Sequence, residues 1–427
     1  MPQQTNPPLG VSGIALASVG LFGNTLAPFL GMSTLFGTVC IATGVGVVVY
    51  GYFSNRKSKM DKLLLNCSLF VRTQTGMILL PTLKETHSDK TKTDYVFTFP
   101  PGMCLSDFRN KREAISQYLK SPVSFDYNNG VIIMSVYKVK LLKKYDFKLI
   151  HYDNPMQVCF AIGRNGPLMF DIEDAIHTLI AGSTGKGKSV LLRTLITALI
   201  LDKKPEDIQL HLVDFMRVEL GIFKRSNMVQ SYTTKPDDFL ELLYKIAAEA
   251  QKRLDLFDAE SIVNLQKWNK KHKDKKMPYV IVIIDEFATL SDKAYKNIMN
   301  YFKIRTAQDR KAGIHYIICT QRPSVDVIDG TIKNNVETRI ALKLATDTDS
   351  QTVLDENGAE KLECKGRCLI KRGDTTEAQV MYLDEDEAME LIKHTFINKQ
   401  QPTEKKSGPL KGDLPNGTKK STGTKDT

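Results

Sequence analysis

The chain has 427 residues, 42% of them hydrophobic, with Lys plus Arg numbering 59 against 48 for Asp plus Glu and a formal net charge of +11. That length sets an expectation of two or three domains with ample apolar material for a core, and the basic balance favours polyanionic partners, either nucleic acid or an anionic membrane face. The seven cysteines are scattered, odd in number and never in CxxC spacing, which excludes a disulfide framework and fits a reducing compartment; Cys364 and Cys368 have no companion at zinc-ligand spacing.

From Met1 to Asn55 there is no Asp, Glu, Lys, Arg or His. The segment divides at Pro28 to Ser33 into two apolar stretches, Gly10 to Phe29 and Met32 to Phe53. Each is near the about 20 residues that cross a bilayer as a helix, and close packing tolerates the glycines. No basic region precedes the apolar run, so a secretory signal fits poorly. Residues 1–55 are therefore expected to form a transmembrane hairpin of two helices; a single span followed by a buried helix is the rival reading. Arg56, Lys57, Lys59 and Lys62 crowd the exit. By the positive-inside rule this implies a multi-pass protein of the cell membrane whose remaining chain is cytoplasmic.

Residues 56–160 read as a small α/β module. Asp94–Phe99 alternates as a strand, Ser106 is placed to cap a helix running to about Leu119, and Val123–Tyr127 and Val131–Tyr137 flank Asn128-Asn129-Gly130, a hairpin signal. Nothing in this module looks catalytic, and assembly or packing is its expected role.

Over residues 161–395 short apolar runs alternate with longer helical patterns, which predicts a parallel sheet covered by helices. Gly182-Ser183-Thr184-Gly185-Lys186-Gly187-Lys188-Ser189 matches GxxxxGK[ST]. A predicted strand, Ile176–Ala181, leads in, and an apolar helix, Val190–Leu201, leads out, the context that a phosphate-binding loop requires. Its glycines let backbone N–H groups close around the phosphates of ATP. Lys188 is expected to reach the β- and γ-phosphates, and Ser189 to hold Mg²⁺.

Tyr279–Ile284 is a fully apolar run that ends in Asp285-Glu286. A buried strand would deliver both carboxylates to the ligand-binding edge of the sheet. Asp285 is then a second Mg²⁺ ligand and Glu286 the group that orients or deprotonates the attacking water. A third run, Ile314–Thr320, ends in Gln321, expected between the other two strands, where it would sense the γ-phosphate. Residues 396–427 are Lys, Gly, Thr, Ser and Pro with almost no large apolar side chain, and are expected to be a disordered basic tail.

Ala312-Gly313-Ile314-His315 through Thr320-Gln321-Arg322-Pro323-Ser324-Val325-Asp326-Val327-Ile328 resembles the FtsK/SpoIIIE family of DNA translocases. So do Asp285-Glu286-Phe287-Ala288, Thr338-Arg339-Ile340-Ala341, and Asp349-Ser350 followed by Leu354-Asp355 and Gly358–Leu362. The resemblance implies a RecA-like P-loop ATPase, assembled as a homo-hexamer that drives double-stranded DNA through its centre. It also implies an arginine acting in trans, for which Arg310 aligns best and Arg305 and Arg339 are second choices. Asp214 and Glu219 match the family, whereas Met216-Arg217 and Lys186 depart from its pattern.

Tyr95–Met103 into Ser106-Asp107-Phe108 resembles the module that precedes the motor in short FtsK-like coupling proteins of Gram-positive conjugative elements. That likeness implies a bacterial membrane location, and delivery of DNA, alone or relaxase-bound, to a mating channel. A chromosome or plasmid segregation translocase and a type VII-like protein-export ATPase remain the alternatives. Candidate DNA contacts are Lys267–Lys276, which holds six lysines and Trp268, and the loop with Arg322 and Lys333. The lysine run reads more readily as a solvated outer face.

Overall fold

The computed structural model describes residues 60–397, so the predicted transmembrane hairpin and nearly all of the predicted tail lie outside the described residues. Among the described residues no helix is long and apolar enough to cross a membrane.

The N-terminal part begins with helical residues 60–66, which bury Leu63 and Leu64, followed by a short hairpin, β1 (Val71–Arg72) and β2 (Ile78–Leu79). It continues as a four-stranded antiparallel sheet of β3 (Thr82–Ser88), β4 (Lys92–Thr98), β5 (Val123–Asn128) and β6 (Val131–Tyr137), in the order β3-β4-β6-β5. Asn129 and Gly130 both have positive φ, 47° and 80°, which is the backbone a tight β5–β6 turn needs and Asn-Gly supplies. Two short helices, α1 (Leu105–Asn110) and α2 (Arg112–Leu119), lie between β4 and β5. The sequence suggested one helix capped by Ser106. Instead the N-cap is Cys104, closed by the Asp107 carboxylate on the Cys104 amide at 2.8 Å, and the helix breaks at Lys111. Phe97, Phe108, Phe125, Ile132 and Met134 make this module's core.

The larger part is built on a ten-stranded sheet. Its strands are β7 (Gln157–Gly163), β8 (Gly166–Asp171), β9 (Thr178–Ala181), β10 (Ile208–Val213), β11 (Val229–Thr233), β12 (Tyr279–Ile284), β13 (Ile314–Thr320), β14 (Thr338–Leu342), β15 (Arg367–Arg372) and β16 (Asp374–Val380). The order is β11-β10-β12-β13-β9-β14-β15-β16-β7-β8, parallel from β11 to β14 and antiparallel beyond. The expectation of a parallel sheet therefore holds for six strands. The other four form two hairpins, β7–β8 and β15–β16, with Gly166 at φ 110° and Gly373 at φ 73° at their reversals, and such turns connect antiparallel neighbours only.

Strand β12 shows why this sheet needs helices on both faces. Tyr279, Ile281 and Ile283 enter one apolar cluster, while Val280, Val282 and Ile284 enter another. The first cluster is shared with the helix α3 (Lys188–Asp202), two thirds of whose residues are buried, and with the short helix α4 (Leu265–Lys271). The second is shared with α5 (Pro236–Ala259), which starts with Pro at its first turn and buries Phe239, Leu243, Ile246 and Ala250 along one face, and with α6 (Lys296–Gln308). The result is a three-layer α/β/α domain. Ion pairs Arg109–Asp374 and Lys361–Glu113 tie the small module to it.

Candidate nucleotide site

Strand β9 is buried at every position, and the chain leaves its C-terminal end as the glycine-rich loop that feeds α3. Gly187 caps the helix at φ 111°, and a Cβ there would stand 2.9 Å from the Gly366 amide nitrogen. Only glycine permits both that backbone and that approach. The loop is held by Gly182 N–H to Thr320 O (3.2 Å), Ser183 N–H to Lys343 O (3.0 Å) and Gly366 N–H to Lys186 O (2.9 Å). Thr184 and Gly185 are exposed at its crest, and Ser183, Lys186 and Gly187 are half-buried.

Lys188 is buried, and its Nζ donates to the main-chain oxygen of Asp285 at 2.5 Å. Ser189 Oγ donates to Glu219 Oε1. Asp285 leaves the end of β12, and parallel pairing of Val213 with Ile284 sets it beside Asp214 at the end of β10. Both aspartates are buried; Asp214 accepts from Val218 N–H, Leu220 N–H and Tyr232 OH, and thereby shapes the loop that presents Glu219. Asp285 Oδ1 accepts from Phe215 N–H at 3.1 Å, while Oδ2 is buried without a hydrogen-bond partner. Burial first, and then Asp214 beside it, pushes the Asp285 carboxyl up to about 7. An orphaned, desolvated carboxylate oxygen with the Asp214 carboxylate beside it suits a hard divalent cation, so Asp285 has the chemistry of a Mg²⁺ ligand. Ser189, the other predicted ligand, has its hydroxyl on the Glu219 carboxylate.

Glu286 is turned towards the end of β13. It accepts from Thr320 Oγ1 at 2.8 Å and from the Gln321 amide at 3.0 Å. Strand β13 lies between β9 and β12, so Gln321 sits where the sequence placed it, and its Oε1 accepts from Thr184 Oγ1 at 2.5 Å. Lys188, Ser189, Asp285, Glu286 and Gln321 therefore converge at one end of the parallel strands.

The loop opens into a cleft of about 570 Å³, within the ~300–1,000 Å³ usual for small-molecule sites. Its far wall was not legible in the sequence: Lys143, Lys144, Gly366, Val380 and Tyr382 line it. These residues come from the linker after the small module and from the antiparallel extension, and form no motif; the positive φ of Gly366 (75°) is the one local signal.

Of the three candidate arginines, Arg305 is buried against Asp309, and Arg339 is bound to Asp355 and to the Lys333 carbonyl. Arg310 is exposed, on a short turn (Asp309–Ala312) that leads into β13. That turn is fixed from below, because Asp309 accepts from both Arg305 and Tyr316 OH. In the basic run all six lysines are exposed, but Trp268 is buried, its ring 5.5 Å from that of Phe257. The run precedes β12, at the N-terminal end of the parallel strands, opposite the end that carries Asp285 and Glu286. Lys333 is held by Asp355, whereas Arg322 is exposed. Among the described residues no His, Cys, Asp or Glu cluster suits a structural metal, and Cys67, Cys104, Cys159, Cys319, Cys364 and Cys368 are free.

Residues 139–325 match the model of the FtsK/SpoIIIE family. A DNA translocase FtsK of Staphylococcus aureus is 36% identical over 247 residues, which is 55% of this chain and 31% of that protein. The corresponding protein of Listeria monocytogenes is 33% identical over 279 residues, 62% of this chain and 36% of its own. The chain thus spans about a third of the length of these relatives. Among solved structures, the pCW3 conjugation coupling protein TcpA, in a monomer form with ATPγS, superposes with a TM-score of 0.55 at 26% identity, over 80% of this chain and 99% of its own. The cytoplasmic domain of the Thermomonospora curvata type VII secretion ATPase EccC shares the fold, with a TM-score of 0.52 at 22% identity over 64% of this chain and 34% of its own.

Proposed function

From the match of residues 139–325 to the FtsK/SpoIIIE family model, we propose that the chain carries an ATPase domain of that family and is a membrane-anchored, ATP-driven DNA translocase that delivers DNA to a conjugative transfer channel. One observation carries the coupling role: the likeness to TcpA covers 80% of this chain, more than the motor alone supplies, and 99% of that protein. The relatives named DNA translocase FtsK support DNA as the cargo. Membrane anchoring rests on the uncharged stretch from Met1 to Asn55 and its basic exit.

In this reading the backbone N–H groups of Gly185 to Ser189 and the Lys188 ammonium orient the phosphates of ATP. Ser189 and Asp285 hold Mg²⁺, which supplies charge neutralisation of the phosphate oxygens when bound. Glu286, oriented by Thr320 and the Gln321 amide, positions the attacking water and takes its proton. Gln321, bonded to Thr184 of the loop, reports the occupancy of the phosphate site to Arg322 and the segment that follows. Arg310 of an adjacent subunit in a hexameric ring completes the charge stabilisation. Its exposure supports that assignment over Arg305 and Arg339, whose guanidinium groups are already paired.

Segregation of chromosomal or plasmid DNA and type VII-like protein export are the competing readings. ATP turnover measured with duplex DNA and with candidate protein cargo separates export from both DNA readings. A pull-down of relaxase and mating-channel proteins separates conjugation from segregation.

A further inference from the structure

The phosphate end of the cleft is defined by Lys188, Ser189 and Gln321, so the rest of a nucleotide extends along the remaining wall. That wall carries two apolar side chains, Val190 and Val380, and one aromatic ring, Tyr382, which is 40% exposed. The Lys144 ammonium stands 4.5 Å from the centroid of the Tyr382 ring, and both residues line the cleft.

The linker that brings Lys144 is fastened here by main-chain bonds. Tyr382 N–H donates to Tyr145 O at 2.7 Å, and Phe147 N–H donates to Tyr382 O at 2.9 Å. Upstream, the buried Arg367 guanidinium donates to the carbonyls of Leu141 and Leu142 while its Nε donates to Gln379. Gln379 in turn donates to Lys365 O, next to the Gly366 that abuts the phosphate loop. A chain of bonds thus runs from the linker to the loop.

We propose that Tyr382 receives the base of the bound nucleoside triphosphate, and that Lys144 of the linker backs the ring, so the segment leaving the small module supplies part of the nucleotide site. This rests on the nucleotide reading of the cleft and deepens it. An aromatic ring beside aliphatic side chains is a stacking platform for a planar base, and the lysine polarises the ring without contacting phosphate. Among the described residues the bonds of Tyr382 and Lys144 all go to residues outside the phosphate loop, which makes base binding and phosphate binding separable.

The test is titration calorimetry on the full-length chain with two ligands, MgATP and magnesium tripolyphosphate. Tyr382→Ala is expected to weaken MgATP by about tenfold, the scale of one lost base–aromatic contact, and to leave tripolyphosphate within twofold. Tyr382→Phe keeps the ring and should bind both ligands like the parent. Lys144→Ala, at a side chain 59% exposed and so harmless to folding, should weaken MgATP by about threefold with tripolyphosphate unchanged. Equal weakening of both ligands by Tyr382→Ala and Lys144→Ala, or no change in MgATP, overturns the proposal. A parent chain that binds neither ligand overturns the nucleotide reading itself.

Discussion

The Lys188 ammonium lies 2.5 Å from the main-chain oxygen of Asp285, joining the phosphate loop to the acidic strand across the nucleotide cleft. The two residues are far apart in the chain and meet because β13 alone separates β9 from β12. Its partner there is a neutral carbonyl and not a carboxylate, so no ion pair has to break before Lys188 meets a phosphate. Lys188→Ala should therefore weaken MgATP by at least about 30-fold, the lower range for truncating one member of a buried charged contact, with the fold intact by circular dichroism. Binding within threefold of the parent would show that Lys188 does not hold phosphate.

Glu286 accepts hydrogen bonds from Thr320 and from the Gln321 amide, so its orientation is set before substrate arrives. Glu286→Gln should bind MgATP like the parent and lower turnover by roughly 10²–10⁴-fold, the usual contribution of a positioned general base. A turnover within tenfold of the parent would assign the base elsewhere.

Arg310 is exposed, whereas the Asp309 next to it is buried and tied to Arg305 and Tyr316. An Arg310→Ala protein should bind MgATP normally and hydrolyse it at least about 10³-fold more slowly. Mixing it with Glu286→Gln subunits should restore part of the rate, since in the proposed ring hybrid interfaces would contain both groups intact. No recovery on mixing, together with normal turnover of Arg310→Ala alone, would place the finger on another residue.

His177 and His315 face each other behind β13, with ring centroids 6.4 Å apart. His177 Nε2 lies 2.8 Å from Thr306 O and Nδ1 accepts the Tyr316 amide, a pattern that only the neutral ring satisfies. Burial lowers His177 to about 3 and His315 to about 4 from the ordinary 6.5. Below pH 6.5 the unfolded chain takes up protons at these rings and the folded chain does not, so their contribution to stability is lost as pH falls. Buried carboxyls such as Asp285, raised in the fold, act in the opposite sense. Comparison of the parent with His315→Gln cancels them: between pH 6 and 5 the parent should lose up to about 1.4 kcal/mol per pH unit more than the variant in urea denaturation. Parallel profiles would show that His315 titrates normally.

The glycine-rich loop and the Asp285-Glu286 pair were legible because each is local: the chemistry sits on consecutive residues beside an apolar strand. Gln321 followed from the same logic, since a buried run delivers whatever residue comes next to the ligand edge. What was illegible depends on pairing between distant segments. The approach of Asp214 to Asp285 needs the β10–β12 register, and the wall formed by Lys144, Gly366 and Tyr382 needs the antiparallel extension that composition did not foretell. Trp268 stood within a lysine run and read as a candidate DNA contact. It is instead buried against Phe257, because three and four residues along a helix share a face and Leu265 and Trp268 turn the same way into the core.

The steady-state ATPase rate of the detergent-solubilised full-length chain, with and without linear duplex DNA at fixed salt, bears most directly on the translocase reading. A motor that walks on DNA should turn over at least about tenfold faster when duplex is present, and the stimulation should fall steeply as salt rises because phosphate contacts release counterions. A rate unchanged by duplex or single-stranded DNA, in protein that binds and hydrolyses MgATP, would contradict it.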